Sequence, residues 1–177
     1  NEENVAENNI KLTEEEQYAV NNWKNADAYK INERLRNETE LTPAQQKTAD
    51  NISAVMEKLP TVEDTVYRSI DLQGNKLNEF LETYKQGAIV EEKAFTSASV
   101  GQIYDDTMNI QMEIVSHTAK DTSNLMRADE QEVMFDRGSK FKVLEVDATD
   151  PNNIKVKLED VTGTQTEETT ESEDKKQ

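Results

Sequence analysis

The sequence predicts an α+β fold, a helical block followed by strands, on three observations. Apolar residues recur at helical spacing before Pro60. Beyond Gly87 they alternate with polar residues at strand spacing. No G-x-G-x-x-G follows a strand, so neither the order of elements nor a glycine fingerprint points to a parallel, doubly wound sheet.

Each element follows from local chemistry. Residues 1–12 are polar and aperiodic and read as a flexible lead-in. Thr13 with Glu16 forms a capping box, in which each side chain satisfies a backbone donor at a helix start. That helix is predicted to run to about Trp23. Ala28, Ile31 and Leu35 stripe a second helix over about 27–37. Thr42, Pro43 and Gln45 open a third, with proline at the first helical position, where its missing N–H is harmless. Ile52, Val55 and Met56 supply its buried face, and Pro60 stands beyond its end. Residues 65–70 read as a strand, and Leu77, Phe80, Leu81 and Tyr84 as a helix whose C-cap is Gly87. Strands are then expected at 94–99, 110–114, 132–135, 141–146 and 154–158. Residues 162–177, rich in Thr, Glu and Lys, read as a disordered acidic tail. The expectation is one globular domain over 13–161, helical to residue 60 and mixed β from 61.

Composition narrows the function. With 37 acidic against 20 basic residues, a net charge of −17 repels nucleic acid and anionic lipid and favours cationic partners. The absence of cysteine removes disulfides, thiolate catalysis and Cys-ligated zinc. His117 is the only histidine, cannot anchor an ordinary zinc site and reads as a loop residue. Trp23 and the methionines sit at core spacing and read as packing. No apolar run is long enough to span a bilayer, and no leader is recognisable. Asn1 is not a methionine, so the chain reads as a processed product or an excised domain.

The candidate chemistry begins with Glu130-Gln131-Glu132. On a strand, residues two apart share a face, so both carboxylates would project together. Glu-x-Glu also occurs at Glu14/Glu16, Glu38/Glu40 and Glu171/Glu173, so the pattern alone reads as solvated surface. Order discriminates. Upstream stand Val66-Tyr67-Arg68-Ser69 and Phe95-Thr96-Ser97-Ala98-Ser99; downstream stands Arg137-Gly138-Ser139-Lys140-Phe141-Lys142-Val143. Before them all lies Tyr29-Lys30-Ile31-Asn32-Glu33-Arg34-Leu35-Arg36. This ordered set, over roughly 12–161, resembles the arginine-modifying branch of bacterial mono-ADP-ribosyltransferases. That branch includes the catalytic domains of actin-modifying clostridial binary toxins and related prophage-encoded proteins. One departure is visible: Ala98 stands where the family usually has threonine.

The resemblance implies two packed, mostly antiparallel sheets with NAD, the substrate, in the cleft between them, and no metal. Cleaving the bond between nicotinamide and ribose builds positive charge on the sugar, as in glycoside cleavage. The resemblance assigns Glu132 to the ribose 2′-hydroxyl, with Ser97 orienting that carboxylate, and Arg68 to the phosphates or adjoining ribose, which its planar fork suits. It places Tyr29 against the adenine, Asn32 on the dinucleotide and Tyr104 over the nicotinamide, while Arg36 reads as helix surface. Glu130 would align an acceptor guanidinium and draw off its proton, so the acceptor is expected to be an arginine of a protein. The expected setting is secreted or phage-delivered. The alternatives are a catalytically idle domain of a phage structural protein, an NAD glycohydrolase that passes ADP-ribose to water, and an acidic binding module without chemistry.

Overall fold

The computed structural model describes residues 10–101, 105–125 and 132–164. Helix α1 spans Glu14–Asn22, and the capping box is present in both directions, Glu16 N–H to Thr13 Oγ1 and Thr13 N–H to Glu16 Oε1, each at 3.0 Å. The helical path does not stop at Trp23. It continues through a π-helical turn, Trp23–Asp27, into α2, Ala28–Arg36. Helix α3, Pro43–Glu57, starts on the Thr42/Gln45 capping box with Pro43 in its first turn. Strands β1 (Thr61–Val62) and β2 (Thr65–Ile70) follow, then helix α4, Gly74–Thr83. Gly87 is not the cap of that helix. Tyr84 is, and Gly87, at φ +90°, shapes the turn beyond it, donating its N–H to Val143 O at 2.8 Å.

The remaining strands are β3 (Ile89–Glu92), β4 (Thr96–Val100), β5 (Ile110–Val115), β6 (Ala119–Asp121), β7 (Glu132–Phe135), β8 (Ser139–Asp147) and β9 (Ile154–Asp160). The fold is therefore α+β, helices first, with a mostly antiparallel sheet in which β5 and β9 run parallel. The described residues fall into two compact units, which do not follow chain order: 10–62, 92–97, 119–125 and 132–138 form one, and 63–91, 98–101, 105–118 and 139–164 the other. The first holds the three helices α1 to α3 and the strand order β1-β6-β7, with the first two residues of β4 next to β7. In the second the order is β2-β5-β9-β8-β3, the last residues of β4 pairing with β2. The nine strands are hydrogen-bonded in one order, β1-β6-β7-β4-β2-β5-β9-β8-β3, where the resemblance implied two separate sheets.

The core of the first unit is the helical stripe read from the sequence. Val20, Trp23, Ile31, Ile52, Val55 and Met56 pack with Phe95, Leu125 and Met134. In the second, the alternation of β5 and β9 points Ile110, Met112, Ile114, Ile154, Val156 and Leu158 to one buried face. Strand β8 breaks its own alternation at Leu144, which lies between the paired residues Val143 and Glu145 as a bulge and is 40% exposed.

One buried ion pair secures the first unit. Glu16 is 6% exposed and accepts from Lys58 Nζ at 2.6 Å. Burial raises its carboxyl pKa, but the Lys58 hydrogen bond, the Thr13 N–H and the Lys58 charge outweigh it and hold the group below its usual value. In the unfolded chain Glu16 takes up its proton near pH 4.3, before the folded chain does, so its contribution is full above that pH and fades as pH falls through the lower folded value. The slope of unfolding free energy against pH between about 5 and 3 is expected to be shallower in Glu16→Gln, read from urea unfolding at stepped pH. An unchanged slope would mean that the pair contributes nothing.

Candidate functional site

Two of the expected catalytic residues are brought onto neighbouring strands. Glu132 opens β7, Ser97 is the second residue of β4, the two strands are adjacent, and both residues are half-buried. The backbone of Glu132 is held by Thr122, a fully buried residue whose N–H and hydroxyl both donate to Glu132 O at 3.2 Å. Thr122 in turn opens a turn in which Asp121 Oδ1 accepts from Ser123 N–H at 3.0 Å and from Ser123 Oγ at 2.6 Å. Leu125, 8% exposed, anchors that turn in the core. The start of the strand is therefore fixed from the polypeptide side that precedes it. Glu130, the second expected carboxylate, and Tyr104 lie outside the described residues.

Helix α2 supplies two more candidates. Tyr29 is 73% exposed, its flat ring on the surface of the helix, whereas Ile31 beside it is fully buried. Asn32 does something that the sequence did not announce: its Oδ1 accepts the Phe95 N–H at 3.0 Å, which ties α2 to the residue two before Ser97. Arg36, at the end of the helix, is exposed.

Arg68 lies in the other unit, on β2. Its register partner on β5 is Met112, flanked by the pairs Val66↔Ile114 and Ile70↔Ile110. It therefore shares a face of β2 with Val66 and Ile70 and is half-buried there. Its neighbour Tyr67 faces the opposite way, into a cavity of about 540 Å³ lined also by Gln111, Glu113, Lys155 and Lys157. A groove of about 690 Å³ in the first unit, between α1 and α3, is lined by Glu14, Tyr18, Asp27 and Lys47 and carries none of the candidate residues.

Sequence reasoning passed over Thr122 and the surroundings of Phe95. The ring of Phe95 meets Trp23 edge-on at 5.0 Å and lies under the guanidinium of Arg137 at 5.6 Å. In the sequence Arg137 is marked only as the first residue of the downstream motif. A signal existed: an arginine immediately after the Glu-x-Glu strand, in a chain short of cations. His117 lies in the β5–β6 connection as expected, its N–H donating to Asp160 at 2.8 Å and its Nε2 3.2 Å from Glu159 Oε2. Among the described residues no group of three or more His, Asp or Glu is placed to hold a metal ion, and no helix is long and apolar enough to cross a membrane.

Residues 1–165 match the ADP-ribosyltransferase exoenzyme family. A protein of Mycobacterium avium (strain 104), named as an NAD(+)-arginine ADP-ribosyltransferase, is 37% identical over 109 residues, which is 59% of this chain and 13% of that protein. The chain thus spans about an eighth of the length of that relative. Among solved structures, exoenzyme S from Pseudomonas aeruginosa, in complex with human 14-3-3 protein beta and bound to carba-NAD, superposes with a TM-score of 0.68 at 14% identity, covering 88% of this chain and 80% of its own. The C3 exoenzyme of Clostridium limosum superposes with a TM-score of 0.66 at 18% identity, covering 85% and 86%. At these identities the two structures establish the fold.

Proposed function

The chain belongs to the ADP-ribosyltransferase exoenzyme family, and from that premise we propose that it splits NAD and transfers ADP-ribose to an arginine of a protein. The observation that carries the reading is the placement of Ser97 and Glu132 on adjacent strands, both half-buried, with the Glu132 backbone fixed by Thr122. The residues present suit the substrate. Arg68 offers a planar fork for phosphate oxygens and Tyr29 an exposed ring for a base. In the step itself the bond from ribose C1′ to the nicotinamide nitrogen breaks, and nicotinamide leaves with the bonding pair. Glu132 faces the positive charge left on the sugar, and Ser97 keeps the carboxylate aimed. A guanidinium nitrogen of the acceptor then bonds C1′ while its proton passes to Glu130. Carboxylates, a hydroxyl and a guanidinium carry this sequence of events, and no step calls on a metal. The acceptor arginine is supported by the name of the mycobacterial relative and by Glu130 itself, an acid suited to a guanidinium. The net charge of −17 agrees with a cationic acceptor surface.

The test is nicotinamide release together with ADP-ribose transfer from labelled NAD to agmatine, a small guanidinium acceptor. Glu130→Gln is expected to retain nicotinamide release within about threefold while transfer to agmatine falls about 100-fold or more, the range of a lost general base. Release without transfer in the wild type would replace the transferase by a glycohydrolase. Neither release nor transfer would overturn the enzymatic reading.

A further inference from the structure

We propose that Arg137 is a positioning residue of the reaction, a clamp that sets where Ser97 stands relative to Glu132; the inference rests on the transfer reaction proposed above. Ser97 and Glu132 belong to adjacent strands, so how far the hydroxyl stands from the carboxylate is set by the relative register of the beginning of β4 and β7. Arg137 touches both. Its backbone follows β7 directly, after Asp136, and its guanidinium lies over the ring of Phe95, the residue that leads into β4. The guanidinium is itself fixed from helix α3: its NH2 donates to Asp50 Oδ1 at 2.8 Å and its Nε to Ser53 Oγ at 3.1 Å. Ser53 Oγ donates in turn to Asp136 Oδ1 at 2.8 Å, and Asp136 Oδ1 also accepts the Arg137 N–H at 2.9 Å. A closed circuit results, from Arg137 through Ser53 to Asp136 and back.

An ordinary surface ion pair with Asp50 would need none of this. The fork is engaged at two points on one helix and covers an aromatic face at the same time, which a lysine has no geometry to do. Phe95 is held from three directions: Arg137 on its ring face, Trp23 against its ring at 77°, and Asn32 on its N–H. Phe95 is 2% exposed, so the clamp acts on a packed residue and its effect passes to Ser97 along two residues of extended chain.

The test compares the wild type, Arg137→Met and Arg137→Lys in nicotinamide release from NAD, at a temperature well below the Tm of each. Methionine keeps an unbranched apolar stem against Phe95 but loses the fork and the charge. It is expected to lower kcat by about 10- to 100-fold, as small misplacements of catalytic groups do, with KM for NAD within about twofold. Lysine restores the charge over the ring but not the fork and is expected to recover part of that loss. Trp23 is the only tryptophan, so near-UV circular dichroism reads the Phe95 contact directly, and its tryptophan bands are expected to weaken in Arg137→Met. Should Arg137→Met fail to fold, Ser53→Ala and Asp50→Asn carry the same test, with kcat expected to fall about threefold to tenfold at constant KM. Folded variants with wild-type kcat, or a loss confined to KM, would overturn the proposal while leaving the transferase reading intact. A wild type that releases no nicotinamide would overturn that reading and this proposal with it.

Discussion

Glu132→Gln is expected to slow nicotinamide release by about 100- to 1000-fold, the scale on which a single preorganised electrostatic contact acts in a transition state. Glutamine keeps the size and planar shape of the side chain, removes its charge and turns one acceptor oxygen into an NH2 donor. That charge matters most as the bond to nicotinamide breaks, because the sugar becomes positive at that moment and not before. The loss should therefore appear in kcat, with KM for NAD changed far less. The position is half-buried, and its backbone is fixed by Thr122 independently of the side chain, so the variant is expected to unfold within about 0.5 kcal/mol of the wild type. Nicotinamide release, paired with a urea melt, checks both halves. A rate within tenfold of the wild type in a folded variant would remove Glu132 from the reaction. The contrast with Glu130→Gln is the more informative result, since the same chemical change two residues away should spare cleavage and abolish transfer.

Phe141→Ala should be the most damaging of the simple truncations in the second unit. Phe141 is 1% exposed on β8, opposite Asp160 of β9, and its neighbours in the sheet are tied by paired backbone on both strands, so they cannot close over the space. Truncation at such a site costs about 3–5 kcal/mol, against a total stability of about 5–15 kcal/mol for a typical domain. A fall in Tm of about 6–20 °C follows for a chain of this length. Leu144→Ala on the same strand is the control. The bulge turns that leucine out of the core, and its loss is expected to cost under about 0.5 kcal/mol. Urea midpoints measured side by side decide the matter, and equal costs would mean that β8 does not have the register described.

The features legible in the sequence were those written over short distances. Both capping boxes, the proline that opens α3, strand β2 and the four residues of β7 came out where local chemistry put them. The π turn did not, because one extra residue in a helical path leaves the apolar stripe almost unchanged on either side of it. Strand β3 was hidden for another reason: four residues with two adjacent glutamates carry too little alternation to stand out. Gly87 was seen as special, yet its place in a turn rather than a helix end depends on Val143, far along the chain. The site divides in the same way. The order of arginine, serine and Glu-x-Glu is a linear signal. The bond from Asn32 to Phe95 joins residues 63 apart, and that from Ser53 to Arg137 residues 84 apart. Such contacts exist only once the chain has folded; Asn32 and Arg137 stand out in the sequence, but the partners they meet are not written in it.

The π turn between α1 and α2 sets a rule about chain length. A π turn takes up one residue more than an α turn, so the helix faces on either side of residues 23–27 stay aligned although the stretch is a residue longer than an α-helical path needs. Deleting one of its exposed residues, Lys24 or Asn25, would let the path close into an ordinary α-helix with Ile31 still in the core and Asn32 still beside Phe95. The same deletion in an unbroken α-helix rotates everything beyond it by about 100°. Over evolutionary time this stretch should therefore tolerate the loss of a residue that the regular helices refuse, while Trp23 within it, packed against Phe95, stays fixed.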